Sequence, residues 1–322
     1  MLGGKLGRRF VKPPITMTIE RRDFLKIAAA STLPLTAKIN ASNQQPALIR
    51  KPIPSSGETI PVVGIGTNRY GVGDDVDAMR PLRDVLSEFS KIEGGVIDTA
   101  PLYRNSESVL GRLIKELGIS ENFFVATKCD EVGADATRNQ LVSSEKKLES
   151  GTLDLVAIHN LRHWQQQLPV LREAKEDGRI RYLGITTSRD SQYAEFKQVL
   201  ESEPLDFMQI NYSLADRGAE SLMTLAQERG VAVMINLPFG RGKLFSAVAS
   251  ARLPEWSAEF DAGSWAQFFL KYVISHPAVV CAIPGTRKVR HLRDNLAAAT
   301  GRLPNAKQRQ AMEEFFDGLP EL

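Results

Sequence analysis

Cysteine is nearly absent from this chain: its 322 residues hold two, Cys129 and Cys281. That excludes a disulfide-held scaffold and every metal site built from several thiolates. No apolar run reaches the roughly 18 residues that a spanning helix needs. Several short motifs are missing as well: no Walker loop, H-E-x-x-H or G-x-S-x-G occurs. Gly64-Ile65-Gly66-Thr67-Asn68-Arg69 starts like a dinucleotide fingerprint, but Arg69 stands where the third glycine belongs. Tyr70-Gly71-Val72-Gly73 then continues as a loop and not as a helix start, so a Rossmann unit is excluded.

What is present is globular in composition, with 43% hydrophobic and 25% charged residues. That mixture is too apolar for disorder and too even for a fibrous repeat. The formal charge of +3 sits in one place. Residues 1–37 hold seven Lys or Arg against two acids, so the remainder carries two more acids than bases. The chain therefore offers no case for nucleic-acid binding. Glu20-Arg21-Arg22-Asp23-Phe24-Leu25-Lys26, followed by the short apolar run Ile27 to Ala37, resembles a twin-arginine export signal. Residues 1–41 read as a leader, with Met17 as an alternative start, and 42–322 as a single domain. The resemblance implies the twin-arginine export machinery as a partner and the periplasm as destination. That route carries folded proteins and suits one that acquires a cofactor first. Both cysteines lie in apolar, strand-like surroundings and read as buried packing residues.

Two short extended runs around Ser55-Ser56-Gly57 predict an N-terminal β-hairpin. Strand candidates follow at Val62–Gly66, Val96–Asp98, Phe123–Thr127, Leu155–Ile158, Tyr182–Thr186, Phe207–Asn211, Val231–Ile235 and Val279–Ile283. Helical stretches alternate with them near 75–91, 106–117, 137–150, 165–177, 190–202, 217–229, 264–275 and 288–300. Eight such units without a composition break point to an α/β (β/α)8 TIM barrel, its base closed by the hairpin, over a doubly wound open sheet.

In such a barrel the working residues sit at the C-terminal ends of strands. Reading those ends in order gives Asp98 and Tyr103, then Lys128, then His159. Together they suggest carbonyl reduction. Hydride addition to C=O makes an alkoxide, which needs a proton as it forms. Tyr103 can donate it, a Lys128 ammonium eases that release, Asp98 holds Lys128, and His159 orients the carbonyl.

Asp98-Thr-Ala-Pro-Leu-Tyr103-Arg-Asn-Ser-Glu107 followed by Gly111 resembles the aldo-keto reductase signature. Ala126-Thr-Lys128, Leu155-Val-Ala-Ile-His159 and Ile283-Pro-Gly-Thr286 resemble that family's later motifs, in order, from about residue 47 to 300. The resemblance implies a small-molecule carbonyl substrate and a nicotinamide cofactor, with NADPH favoured over NADH. It assigns cofactor contacts to Gly66, Thr67, Asp98, Thr186, Thr187, Gln209, Asn236, Leu237, Phe239, Arg241, Thr286, Arg287 and Asn295, and no metal. Arg287, Lys288 and Arg290 beside Thr286 favour a phosphorylated ribose on charge grounds too. The chain departs from the family pattern in three places. Thr186-Thr187 replaces Ser-Asn. Asn236 replaces the aromatic that stacks on the nicotinamide. Gly285 and His291 replace basic residues at the phosphate. Asn236 motivates an alternative, an exported cofactor-binding sensor or accessory subunit with little turnover. A Schiff-base lyase using Lys128 is a third reading. Trp164, Trp256, Phe260 and Trp265, in loops expected to set specificity, either line a pocket or pack those loops down.

Overall fold

The structure is a computed structural model that describes residues 47–150 and 152–320. The leader, residues 1–41, lies outside the described residues. Strands β1 (Arg50–Pro52) and β2 (Thr59–Pro61) pair antiparallel as the expected hairpin, with Lys51 opposite Ile60. Eight parallel strands follow: β3 (Ile65–Gly66), β4 (Gly95–Asp98), β5 (Phe123–Cys129), β6 (Leu153–His159), β7 (Ile180–Thr186), β8 (Phe207–Asn211), β9 (Ala232–Asn236) and β10 (Val279–Ala282). They lie side by side in chain order. β10 returns to the start of the sheet through Gly64 N–H to the Ala282 carbonyl (2.9 Å) and Ala282 N–H to the Val62 carbonyl (2.9 Å). The sheet thereby closes into the barrel that the strand count predicts.

The first barrel strand is shorter than the sequence suggests, because Val62–Gly64 pairs with β10 at one position, Val63 beside Ala282. Close approach explains the glycine at Gly66: a β-carbon there would stand 2.9 Å from the Ile283 carbonyl oxygen. Helices cover the outside: α1 (Val76–Phe89), α2 (Ser106–Leu117), α3 (Ala134–Leu148), α4 (Trp164–Glu176), α5 (Tyr193–Ser202), α6 (Glu220–Glu228), α7 (Lys243–Ala247), α8 (Trp265–Ile274), α9 (Val289–Ala297) and α10 (Ala306–Asp317). The sequence reading does not foresee α7 or α10. Asn305 and Gln308 form a capping box at the start of α10, a signal visible in the sequence. Phe315, on α10, packs against Trp256, Trp265 and Phe268. Trp256, Phe260 and Trp265 therefore pack their loops down.

Side chains alternate along each strand between two apolar regions. Val96, Phe124, Ala126, Leu155, Phe207 and Met234 fill the barrel interior. Ile97, Val125, Val156, Ile158 and Met208 face the helices. The hairpin plugs the bottom of the interior with Ile53 and Ile60. Lys51 pins it there, its Nζ donating to the carbonyls of Ile274, His276 and Val279 at 2.7–3.1 Å. Cys281 joins the interior and Cys129 the outer layer, both buried as expected.

The period of two also fixes the top of the barrel. Asp98, Lys128, His159, Thr186, Gln209 and Asn236 share the parity of the interior residues below them, so all six side chains belong to the axis side at the C-terminal end.

Packing between α2 and α3 leaves no room for a methyl group at Gly111, whose β-carbon would collide with the Lys147 carbonyl oxygen. Gly111→Ala should therefore cost ~1–3 kcal/mol, the usual range for overpacking, and lower the thermal midpoint by several degrees. A midpoint equal to that of the parent chain would show that the two helices do not touch there.

Candidate active site

Asp98 ends β4 and Lys128 lies near the end of the neighbouring β5, paired so that Asp98 stands beside Ala126. Lys128 reaches back and donates from Nζ to Asp98 Oδ1 (2.7 Å) and to the Thr99 carbonyl (2.7 Å). Gln209, from β8 on the opposite side of the barrel, donates through Nε2 to the same Asp98 oxygen at 2.9 Å. Lysine and aspartate are both almost wholly buried. Burial alone would push the lysine down, but the Asp98 carboxylate and Tyr103 outweigh it and hold its pKa above the ordinary value. The ammonium is therefore the favoured form at neutral pH.

Tyr103 hangs in the loop after β4. Its N–H is bonded to the Ala100 carbonyl (3.0 Å), and its own carbonyl accepts from Ser106 N–H (3.1 Å). The Lys128 ammonium lies 5.2 Å from the centre of its ring. Burial raises the Tyr103 pKa, while the positive charge of Lys128 pulls it back down. His159 meets the Tyr103 ring edge-on, with centroids 6.1 Å apart. Burial, then the cations Lys128, Arg162 and Arg189, push its pKa down to about 3. The imidazole is neutral at any physiological pH. Its Nδ1 is buried without a partner. An unpaired acceptor is the cheaper choice there, so the proton belongs on Nε2.

A frame that the sequence reading missed supports the four. The Thr67 hydroxyl donates to the Asp98 carbonyl (2.9 Å), and Ser106 Oγ donates to the Thr67 carbonyl (2.9 Å). Beneath them the buried Glu107 accepts from the Thr127 hydroxyl at 2.7 Å. Ser106 and Glu107 stand inside the Asp98-to-Glu107 motif, so the signal was there without its partners.

The other residues assigned from the sequence are placed unevenly. Thr186 and Asn236 end β7 and β9 on the axis side, with Asn236 Nδ2 3.5 Å from the Thr186 hydroxyl. Gln209 also reaches the axis, but turned to Asp98. The Thr67 and Thr187 hydroxyls are not free for a ligand. Thr67 is bonded to Asp98, and Thr187 accepts from Arg189 N–H (3.1 Å) and donates to Gln192 Oε1 (2.6 Å). After β9, Leu237, Gly240, Arg241 and Gly242 all take left-handed backbone angles. Phe239 packs on Phe245 there, with centroids 5.0 Å apart. The Arg241 charge is among those that lower the Tyr103 pKa. After β10, Thr286 is buried, its carbonyl accepting from the Tyr70 hydroxyl (3.2 Å) and its own hydroxyl closing a turn with Lys288 N–H (3.2 Å). Arg287 is exposed, and Asn295 is buried on α9. Among the described residues Arg241, Arg287, Lys288 and Arg290 form no ion pair, which suits a ligand that brings phosphate to this rim.

The model of the Aldo/keto reductase family matches residues 62–315. The chain belongs to this family. It is 23% identical over 287 residues to L-galactose dehydrogenase of Arabidopsis thaliana, covering 76% of this chain and 86% of the relative. The fold matches an aldo-keto reductase of Klebsiella pneumoniae in complex with NADPH, with a TM-score of 0.70 and 22% identity over 85% of this chain and 98% of that one. It also matches the holo form of aldo-keto reductase AKR11C1 from Bacillus halodurans, with a TM-score of 0.67 and 22% identity over 83% and 96%.

In this aldo-keto reductase the depressed basicity of His159 has a direct readout. Its imidazole NMR signals should hold the positions of the neutral ring between pH 8 and pH 5, since protonation begins only as the pH approaches about 3. A titration with its midpoint near 6.5 would mean that the ring is neither desolvated nor flanked by cations.

Proposed function

We propose that this chain is an NADPH-dependent reductase of aldehydes or ketones, with Tyr103 as its general acid. The observation that carries the reading is the buried ammonium of Lys128, held by Asp98 and set against the Tyr103 ring. Family membership and the NADPH-bound Klebsiella relative support it. Bound at this mouth, NADPH supplies the hydride. Thr286, Arg287 and Asn295 would hold its adenosine end, the loop Leu237–Arg241 its phosphates, and Thr186, Asn236 and the free amide oxygen of Gln209 its nicotinamide. The unpaired basic residues after β10 favour NADPH over NADH.

Within the chain the roles follow from charge. Tyr103 begins protonated, because its raised pKa lies above the working pH, and it can pass its proton to the carbonyl oxygen. Lys128 then stabilises the tyrosinate left behind, at short range and away from water. His159, neutral and protonated on Nε2, donates a hydrogen bond to the same oxygen and fixes its position. Reduction needs the acid form of Tyr103, so its rate should fall only on the alkaline side.

NADPH oxidation with 4-nitrobenzaldehyde tests the reading. Tyr103→Phe keeps the ring and removes the proton donor, and should lower kcat by about 10²–10⁴-fold, the usual range for a lost general acid. Retention of most of the activity would sink the assignment. Tight NADPH binding without turnover by the parent chain would favour the sensor reading that Asn236 motivates.

The leader carries a separate part of the proposal, export to the periplasm through the twin-arginine route. Its support is Arg21-Arg22 followed by Phe24-Leu25-Lys26 and a short apolar run. Arg21→Lys with Arg22→Lys should hold the full chain in the cytoplasm, as read by cell fractionation. Unchanged fractionation would remove that part and leave the reductase untouched.

A further inference from the structure

Several described arginines on the flanks of the barrel are paired with acids, as in Arg112 with Glu116, Arg138 with Glu173, and Arg179 with Glu145. At the mouth, two arginines come together beside His159. His159 and Thr186 are register partners on β6 and β7. Arg162 and Arg189 each follow three residues later, in the loops that leave those strands. The two loops are joined: Ser188 N–H donates to Asn160 Oδ1 (3.0 Å), and Gln192 Nε2 donates to the Asn160 carbonyl (2.7 Å). Asn211 adds a third tie through Nδ2 to the Ser188 carbonyl (3.2 Å). The Thr187 hydroxyl, spent on Arg189 N–H, fixes the backbone that carries that guanidinium.

Arg162 sits in a strained setting. Asn160, Leu161 and His163 around it all adopt left-handed angles, with φ between 52° and 54°, and none is glycine. Such conformations persist where the surroundings enforce them, and they concentrate at binding loops. Both arginines are exposed, yet near enough to His159 to lower its pKa. The charges nearby do not cancel. Arg162 gives one N–H to Asp130 Oδ2 at 3.0 Å. Among the described residues the Arg189 side chain has neither an ion pair nor a hydrogen bond. Asp190, its neighbour in sequence, lies near enough to Tyr193 and Asp216 to raise the pKa of both.

We infer that the substrate carries a carboxylate, held by Arg189 and the free edge of Arg162 while its carbonyl group faces Tyr103 and His159. This deepens the reductase reading and rests on it. With Arg162 paired to Asp130, Arg189 is the one guanidinium of the two without an ion pair, which suits a monoanion such as a carboxylate. The planar fork of an arginine fits a carboxylate with two parallel bonds. A neutral His159 offers no competing charge for that anion.

The test compares 4-carboxybenzaldehyde with 4-nitrobenzaldehyde, two electron-poor aldehydes that differ in charge. Arg189→Gln should lower the ratio of their kcat/KM values about tenfold, the scale of one lost charge-assisted bond, and should do so through KM for the carboxylated aldehyde. Arg162→Gln should act in the same direction. Arg229→Gln, an exposed site on the opposite face at the end of α6, removes the same charge and should leave the ratio alone. An unchanged ratio in Arg189→Gln, or an equal fall in Arg229→Gln, would overturn the inference. Calorimetric titration with benzoate in the presence of NADP+ reads the same site without turnover. Binding by the parent chain that is lost in Arg189→Gln supports the site, and binding by neither or by both alike removes it. Benzoate held through Arg189 while neither aldehyde is reduced would discard the reductase reading and keep the carboxylate site.

Discussion

The top of this barrel is organised around one requirement, a full positive charge kept where almost no water reaches. A lone ammonium at the position of Lys128 would lose its proton, because burial penalises the charged form. Asp98 and the Thr99 carbonyl reverse that balance at 2.7 Å each. The carboxylate is itself fixed from two directions, by Gln209 across the barrel and through its backbone by Thr67. Thr67 leads out of β3, whose seam with β10 closes the sheet. Closure of the barrel and charge on Lys128 are thus linked: opening the seam loosens Thr67, then Asp98, and then the reason for Lys128 to stay protonated.

One buried cation acts in the same direction on the two rings beside it, with different consequences. It lowers the pKa of Tyr103, which makes proton release easier, and it lowers that of His159, which makes proton uptake harder. Both effects come from like-sign or opposite-sign interaction at short range in a dry site. The His159 ring is left neutral, and the Tyr103 hydroxyl stays protonated with a cation beside it that offsets part of the effect of burial.

The fold was legible because its signal repeats: eight strand-helix units, each with the same parity of buried residues. That parity also set Asp98, Lys128 and His159 on the axis side, since a side chain two residues above a core position points the same way. The partner of each side chain was less visible. Gln209 and Asp98 are 111 residues apart, and nothing local says that the amide turns to the carboxylate. Thr187 illustrates the limit of carry-over by position: in its place in the motif the hydroxyl fits a cofactor contact, but strand parity turns it away from the axis, onto Arg189 and Gln192. Helix α10 was missed for a different reason. It adds no strand and lies beyond the repeating unit, although Asn305 and Gln308 mark its start.

The two cysteines carry the last step. Cys281 lies inside the barrel with Ile53 and Val96, and Cys129 lies between barrel and helices, its Sγ 3.0 Å from Gln167 Oε1. Burial pushes both thiols far above their ordinary pKa, so neither supplies the thiolate that oxidation and disulfide exchange require. One faces the barrel interior and the other the helical layer, so no small movement brings them together. The same burial that keeps the thiols neutral would neutralise Lys128 as well, were Asp98 not beside it. Burial suppresses the charge of an ionisable group that has no charged partner, and a partner such as Asp98 restores it; among the described residues the ammonium so paired at the axis is that of Lys128.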